Sequence, residues 1–387
     1  MDSRLDVAHG AAVLPHASRQ RASVDPAPSS VRLPNRQVAI DVARGLAVLL
    51  MIQTHAFDGW VAPAHKSSLG YGLTRVVASI PAPLFLLLAG VGLSLGADAA
   101  ADRGPADSSI RRALCLRGLG IAGYGYLVSA IYAVIEGSQP TAQVLPVLLR
   151  ADILHCIGLS IALCALLLVR RKDTVALAAG LTGSALLFSV VVPRVLAVPT
   201  EPGLAALAAL WFDVPGYTRF PLLPLVGFCA LGVIVGRFLP RLRPAESSAV
   251  RIAVVCLGFA TLSWLATRGL LAALGGPLAR SHPAVVPNFF DGLARALAVL
   301  ALAQWLTLRA SIQSMPMQAL LSLGRASLFV YALHIPLCYG RVASLFSGRF
   351  SVGQAAPLVL ALGLLCLGAV GLRDALRRWL RRQRKNT

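Results

Sequence analysis

Runs of about twenty apolar residues recur along the chain, and this feature constrains its fold more than any other. A helix rising 1.5 Å per residue needs about twenty residues to cross a hydrocarbon core of ~30 Å, whereas a barrel strand needs only about ten. The runs lie near 38–57, 75–97, 113–135, 152–169, 174–193, 220–238, 250–272, 289–309, 317–340 and 355–376. They predict an all-α polytopic membrane protein, a single bundle of about ten transmembrane helices. Composition agrees. Hydrophobic residues make up 57% of the 387 and charged residues 13%, where a soluble domain carries roughly a quarter. So little charge cannot coat a globular surface, which excludes a cytosolic enzyme, a secreted domain and a disordered regulator.

The charge that remains is strongly basic, 36 Lys+Arg against 16 Asp+Glu, a formal net charge of +20. No stacking aromatics interleave the basic residues, so they read as topology signals and as attraction to anionic lipid, not as a nucleic-acid surface. With the N-terminus inside, 26 of the basic residues fall on inner segments and 10 on outer ones. That asymmetry predicts both termini cytoplasmic. Residues 1–35 are rich in Pro, Ala and Arg and lack the apolar core of a signal peptide. The expected organisation is a disordered basic cytoplasmic tail over 1–35, a transmembrane domain over 36–376 and a basic cytoplasmic tail over 377–387. The 7 cysteines form no Cys-x-x-Cys pair and no zinc-spaced cluster with histidine, so no metal is expected. The loops 58–74, 136–151, 194–219 and 273–288 are long enough to form a lid over an outward cavity. Interfacial anchoring by their aromatics is the equal alternative.

Ionisable groups within a span are costly and usually face a cavity or a partner. Asp41 and Arg44 lie three apart in the first span, within pairing reach on one helix face. His55 follows Arg44 by eleven residues, about three turns along roughly the same face. His155 opens the fourth span beside Asp152, and His334 lies toward the outer end of the ninth. Threading sets all three histidines at one depth in the outer half of the bilayer, where a neutral imidazole can act as base, acid or nucleophile. Arg219, at the mouth of the sixth span, is a candidate for holding an anionic group. A structural ion pair and packing hydrogen bonds are the alternatives for these groups.

Arg44 and His55, separated by ten residues and preceded by Asp41, resemble the first-helix Arg-x10-His signature of transmembrane acyltransferases. Further segments resemble one branch, the bacterial relatives of heparan-α-glucosaminide N-acetyltransferase. They are Pro83–Gly90, Asp152–Gly158, Arg219–Pro224 and Leu323–Pro336, in that order. The resemblance covers roughly 36–345. It implies transfer of an acyl group, often acetyl from acetyl-CoA, to a sugar or similar acceptor across the membrane, here a bacterial inner membrane. It implies a catalytic role for His55 with Arg44 and Asp41. His65 occupies the general place of the lysosomal branch's histidine, in the first loop. The sequence departs from the branch at Arg75-Val-Val-Ala and at Val286-Pro-Asn288-Phe-Phe.

The expected binding residues are His155, Asp152, Arg219 and His334 for the acceptor, and Arg111, Arg112 and Arg117 for the phosphates of acyl-CoA. The expected partners are the bilayer, acyl-CoA, an extracytoplasmic glycan or small-molecule acceptor and, as an option, a second copy in a homodimer. Nucleic acid is not among them. The rival reading is a proton-coupled transporter, whose usual marks are an internal repeat and a helix broken by paired Gly or Pro. Neither is expected from the sequence.

Overall fold

The computed structural model describes residues 35–136, 152–195, 202–212, 214, 219–238 and 285–386, with isolated positions at 258, 261 and 265. Among them the fold is helical, and the only extended pairing is a single bridge between Val61 and Phe350. In chain order the helices are α1 (Asn35–Trp60), α2 (Leu69–Ala78), α3 (Pro81–Ala101), α4 (Asp107–Glu136), α5 (Ile153–Leu167) and α6 (Thr174–Val195). They continue with α7 (Pro202–Ala209), α8 (Leu222–Phe238), α9 (Val285–Arg309), α10 (Met315–Arg325), α11 (Ser327–Cys338) and α12 (Val352–Asn386).

Nine of the ten predicted runs coincide with helices. The run at 250–272 falls almost entirely outside the described residues. By length and composition, 6 spans can cross a membrane, or 7 if α10 and α11 count as one bent span, and α5 and α8 are shorter apolar helices. The chain is therefore a multi-pass helical membrane protein, and ten spans are not reached among the described residues. The predicted single helix over 317–340 is two, bent by 87° at Ala326. The expected absence was of a helix broken by paired Gly or Pro, and this break falls instead at Gly324-Arg325-Ala326. The predicted boundary at 376/377 falls inside α12, whose 35 residues extend roughly 52 Å. That exceeds the hydrocarbon thickness, so its basic last turns project beyond it. Of the predicted lid loops, 58–74 holds a 3-10 turn (Pro63–His65) and most of α2. Residues 137–151, 196–201, most of 213–218 and 273–284 lie outside the described residues.

Helix starts follow local chemistry. Ser68 caps α2 by accepting from the Tyr71 N–H, and Pro81 opens α3, where its missing N–H costs nothing. Asp152 and His155 form a capping box on α5. Small residues then set how closely helices approach. A Cβ on Gly90 of α3 would meet the Cys229 carbonyl oxygen of α8 at 2.0 Å, and one on Gly232 of α8 would meet the Leu87 carbonyl at 2.1 Å. Side chains on both would force this pair apart.

The hub of the bundle is α1, which touches α2, α3, α9, α10, α11 and α12. Its Ala39, Val42, Ala43, Ala47 and Val48 are fully buried or nearly so. Gly45 of α1 and Gly324 of α10 bring those two backbones into contact. By contrast only 22% of the apolar window of each of α4, α6 and α12 is buried, which leaves those faces to lipid.

Candidate active site

One large cavity, about 1160 Å³, runs between α1, α3, α4, α5, α10, α11 and α12. Its volume is on the scale of ligand pockets, roughly 300–1,000 Å³. Arg44 and His55 both line it, separated along α1 by about 16 Å. The cavity thus has a basic end and a histidine end.

At the basic end Arg44 is joined on the wall by Arg117 of α4, Arg325 of α10, and Arg373 and Arg377 of α12. Asp41 is the organiser. Its Oδ1 lies 3.0 Å from Nη1 of Arg44, and its Oδ2 accepts from Nε of Arg325 at 3.0 Å. The close contact at Gly324, where a Cβ would meet the Asp41 carbonyl at 2.1 Å, makes this bridge possible. Arg373 stacks over the Phe329 ring at 5.1 Å and pairs with Asp374 at 2.8 Å. The guanidinium groups outnumber the local carboxylates, so this end attracts anions.

At the histidine end, Nδ1 of His55 lies 3.2 Å from the Tyr339 hydroxyl, which donates to Oδ2 of Asp58 at 2.9 Å. Asp58 also accepts from the Tyr71 hydroxyl at 3.3 Å and has Arg75 and Lys66 at 3.8 and 3.9 Å. His55, Asp58, Arg75, Asp152, Arg219, Tyr331 and Tyr339 all line this part of the cavity. The His334 ring lies 5.2 Å from that of His55, centre to centre. His334 itself is fully buried, its Nδ1 held by the Val330 carbonyl at 2.8 Å and its Nε2 without a partner among the described residues.

The predicted residues separate on this geometry. Arg44, His55, Arg117, Asp152 and Arg219 line the cavity, and Asp41 stands behind Arg44. His155 does not line it. Its Nδ1 accepts from the Asp152 N–H at 3.1 Å, and its ring packs against Tyr126 at 4.0 Å. That is the role of a cap. Asp152 is thereby held in place while its Oδ2 accepts from the Tyr331 hydroxyl at 2.7 Å. His334 contacts His55 without reaching the cavity. His65 is exposed on the 3-10 turn, away from the cavity lining, and Arg111 and Arg112 are on α4 but not on the cavity wall. Among the described residues no group of three or more His, Cys, Asp or Glu could hold a metal ion.

Comparison with known families decides the class. The model of the heparan-alpha-glucosaminide N-acetyltransferase catalytic domain matches residues 36–270, more than half of the chain. The chain belongs to this family. It is a multi-pass membrane acyltransferase, as the sequence resemblance implied. A search of the curated proteins gives no match. The family match takes in α1 through α8, hence Asp41, Arg44, His55, Arg117, Asp152 and Arg219. The remaining cavity wall, from α10, α11 and α12, lies beyond the matched residues.

Sequence reasoning missed Asp58, Tyr339, Arg325, Arg373 and Arg377. Asp58 carried a signal, being a carboxylate three residues after His55 and so on its helix face. Tyr339 and Arg325 each sit more than 280 residues from their partners on α1, beyond any local periodicity.

Proposed function

We propose that this acyltransferase moves an acetyl group from cytoplasmic acetyl-CoA to a hydroxyl or amine of an extracytoplasmic sugar or similar small molecule. The observation that carries the reading is one cavity that joins the cluster of Arg44, Arg117 and Arg325 to His55 and Asp58. Phosphates of the donor pair with Arg44, Arg117 and Arg325 at the basic end, and the pantetheine arm extends along α1 toward His55. The acceptor enters at the opposite end, between Arg75, Asp152 and Arg219. His55 takes the proton from the acceptor as its oxygen or nitrogen attacks the thioester carbonyl carbon. The new C–O or C–N bond forms, the C–S bond breaks, and the departing sulfur receives the proton. A covalent acetyl-histidine is the other route to the same products. The distribution of basic residues supports cytoplasmic termini, and the resemblance to bacterial relatives makes a bacterial inner membrane the proposed location.

The break between α10 and α11 favours the second reading, a proton-coupled transporter, because Gly324, Arg325 and Ala326 line the cavity at the bend. Free-thiol release from acetyl-CoA by purified protein, with and without a mixed pool of sugars and amines, separates the two. Acceptor-dependent release supports transfer. Radiolabel retained on the protein supports the covalent route. No release from folded protein supports the transporter.

A further inference from the structure

We propose that Tyr339 and Asp58 are positioning residues that fix the tautomer of His55, with the proton on Nδ1 and Nε2 left as the free base. The proposal rests on the reading of His55 as the base of acetyl transfer, and it specifies which nitrogen does the work.

The assignment follows from counting protons. Asp58 faces Lys66 and Arg75, and in its bond with Tyr339 it is the acceptor. The Tyr339 phenol has one proton, and Asp58 Oδ2 receives it at 2.9 Å. Only a lone pair of the phenol oxygen then remains for His55, whose Nδ1 lies 3.2 Å away. Nδ1 must therefore donate. A neutral imidazole carries one N–H, so Nε2 bears the lone pair. Nε2 of His55 has no hydrogen bond among the described residues, and unlike Nε2 of His155 and His334 it is not sealed off as a buried orphan. It belongs to a residue on the cavity wall. His334 illustrates the contrast, because the Val330 carbonyl fixes its proton on Nδ1 too, but its Nε2 is enclosed.

Main-chain contacts hold the arrangement. Tyr339 is the C-cap of α11, and the indole N–H of Trp60 donates to the Leu337 carbonyl at 3.2 Å. Gly59 packs so tightly that a Cβ would meet the Cys338 carbonyl at 2.2 Å. The last turn of α1 and the end of α11 are thus one unit that carries His55, Asp58 and Tyr339 together. When Nε2 takes a proton, the imidazolium keeps its Nδ1–H on the phenol oxygen, and the Asp58 charge reaches it through that phenol. The logic is that of a carboxylate orienting a catalytic imidazole, with a tyrosine interposed.

The test is ¹⁵N NMR of the imidazole nitrogens in full-length, histidine-labelled protein in nanodiscs, with the His55 signals identified by their loss in His55→Gln. The wild type should show a protonated Nδ1 and a bare Nε2. Asp58→Ala frees the Tyr339 proton to point at Nδ1 and should move the proton to Nε2. Tyr339→Phe leaves Nδ1 without a partner and should give a mixture. Turnover of both variants should fall about 10- to 100-fold, with little change in KM for acetyl-CoA. A wild type protonated at Nε2, or a tautomer unmoved in both variants, overturns the proposal. The spectrum needs no turnover. The expected tautomers in a protein that transfers no acetyl group sustain the positioning and sink the transfer reading. Transfer with an unmoved tautomer sinks the positioning alone.

Discussion

Arg325 of α10 and Asp41 of α1 meet at 3.0 Å although 284 residues separate them, and Arg44 shares the same carboxylate. The bridge ties the broken helix to the hub of the bundle. Arg325 is half exposed, so solvent screens part of its share. Asp41→Ala, Arg325→Ala and the double variant should show a coupling of about 1 kcal/mol in a double-mutant cycle measured by unfolding in mixed micelles. Strict additivity would mean that the bridge contributes nothing to holding α10.

Close approach of backbones predicts a clear hierarchy among glycines. Gly45→Ala and Gly324→Ala place a Cβ 2.1 Å from a main-chain oxygen that cannot swing away. Each should cost about 1–3 kcal/mol of stability and lower the yield of folded protein. Gly96→Ala and Gly120→Ala, where nothing lies within 4 Å, should be tolerated. Thermal unfolding followed by size-exclusion chromatography ranks the four.

The first span is where the sequence was most legible. Asp41 and Arg44 fall on one helix face by spacing alone, and the pair is there at 3.0 Å. The sequence also sets His55, His155 and His334 apart, and two of them, His55 and His334, are in ring contact. The role of His155 was not, because a capping histidine and a cavity histidine have the same hydrophobic surroundings in a linear chain. The bend at Ala326 was hidden for a related reason. The chain there reads Leu323-Gly324-Arg325-Ala326-Ser327, with no proline or paired glycines to mark a break, and Gly324 packs against the Asp41 carbonyl of α1. Arg111, Arg112 and Arg117 looked equivalent as a basic cluster. Helical rotation turns only Arg117 to the cavity.

That rotation is itself testable. Arg117→Gln should raise KM for acetyl-CoA about tenfold, a loss of about 1.4 kcal/mol, with kcat changed far less. Arg111→Gln and Arg112→Gln should leave KM near wild type. Added salt should weaken donor binding in the wild type and do so less in Arg117→Gln, because the lost contact is ionic. Steady-state kinetics at two ionic strengths checks both points.

His65 and His155 make contrasting predictions. His65→Ala should leave transfer unchanged, since its side chain is exposed and off the cavity wall. His155→Ala removes half of the α5 capping box and should cost about 1 kcal/mol of stability. Transfer should fall only as far as Asp152 loses its position. Parallel melting curves and turnover numbers distinguish a structural loss from a chemical one.

The most direct measurement of the central claim is acceptor-dependent thiol release from acetyl-CoA by wild type and His55→Ala, each shown to be folded by its melting curve. The account predicts that His55→Ala keeps the wild-type unfolding midpoint and loses about 10²–10⁴ in rate. Equal rates in the two proteins, or activity lost only in step with folded protein, would contradict the assignment of the chemistry to His55.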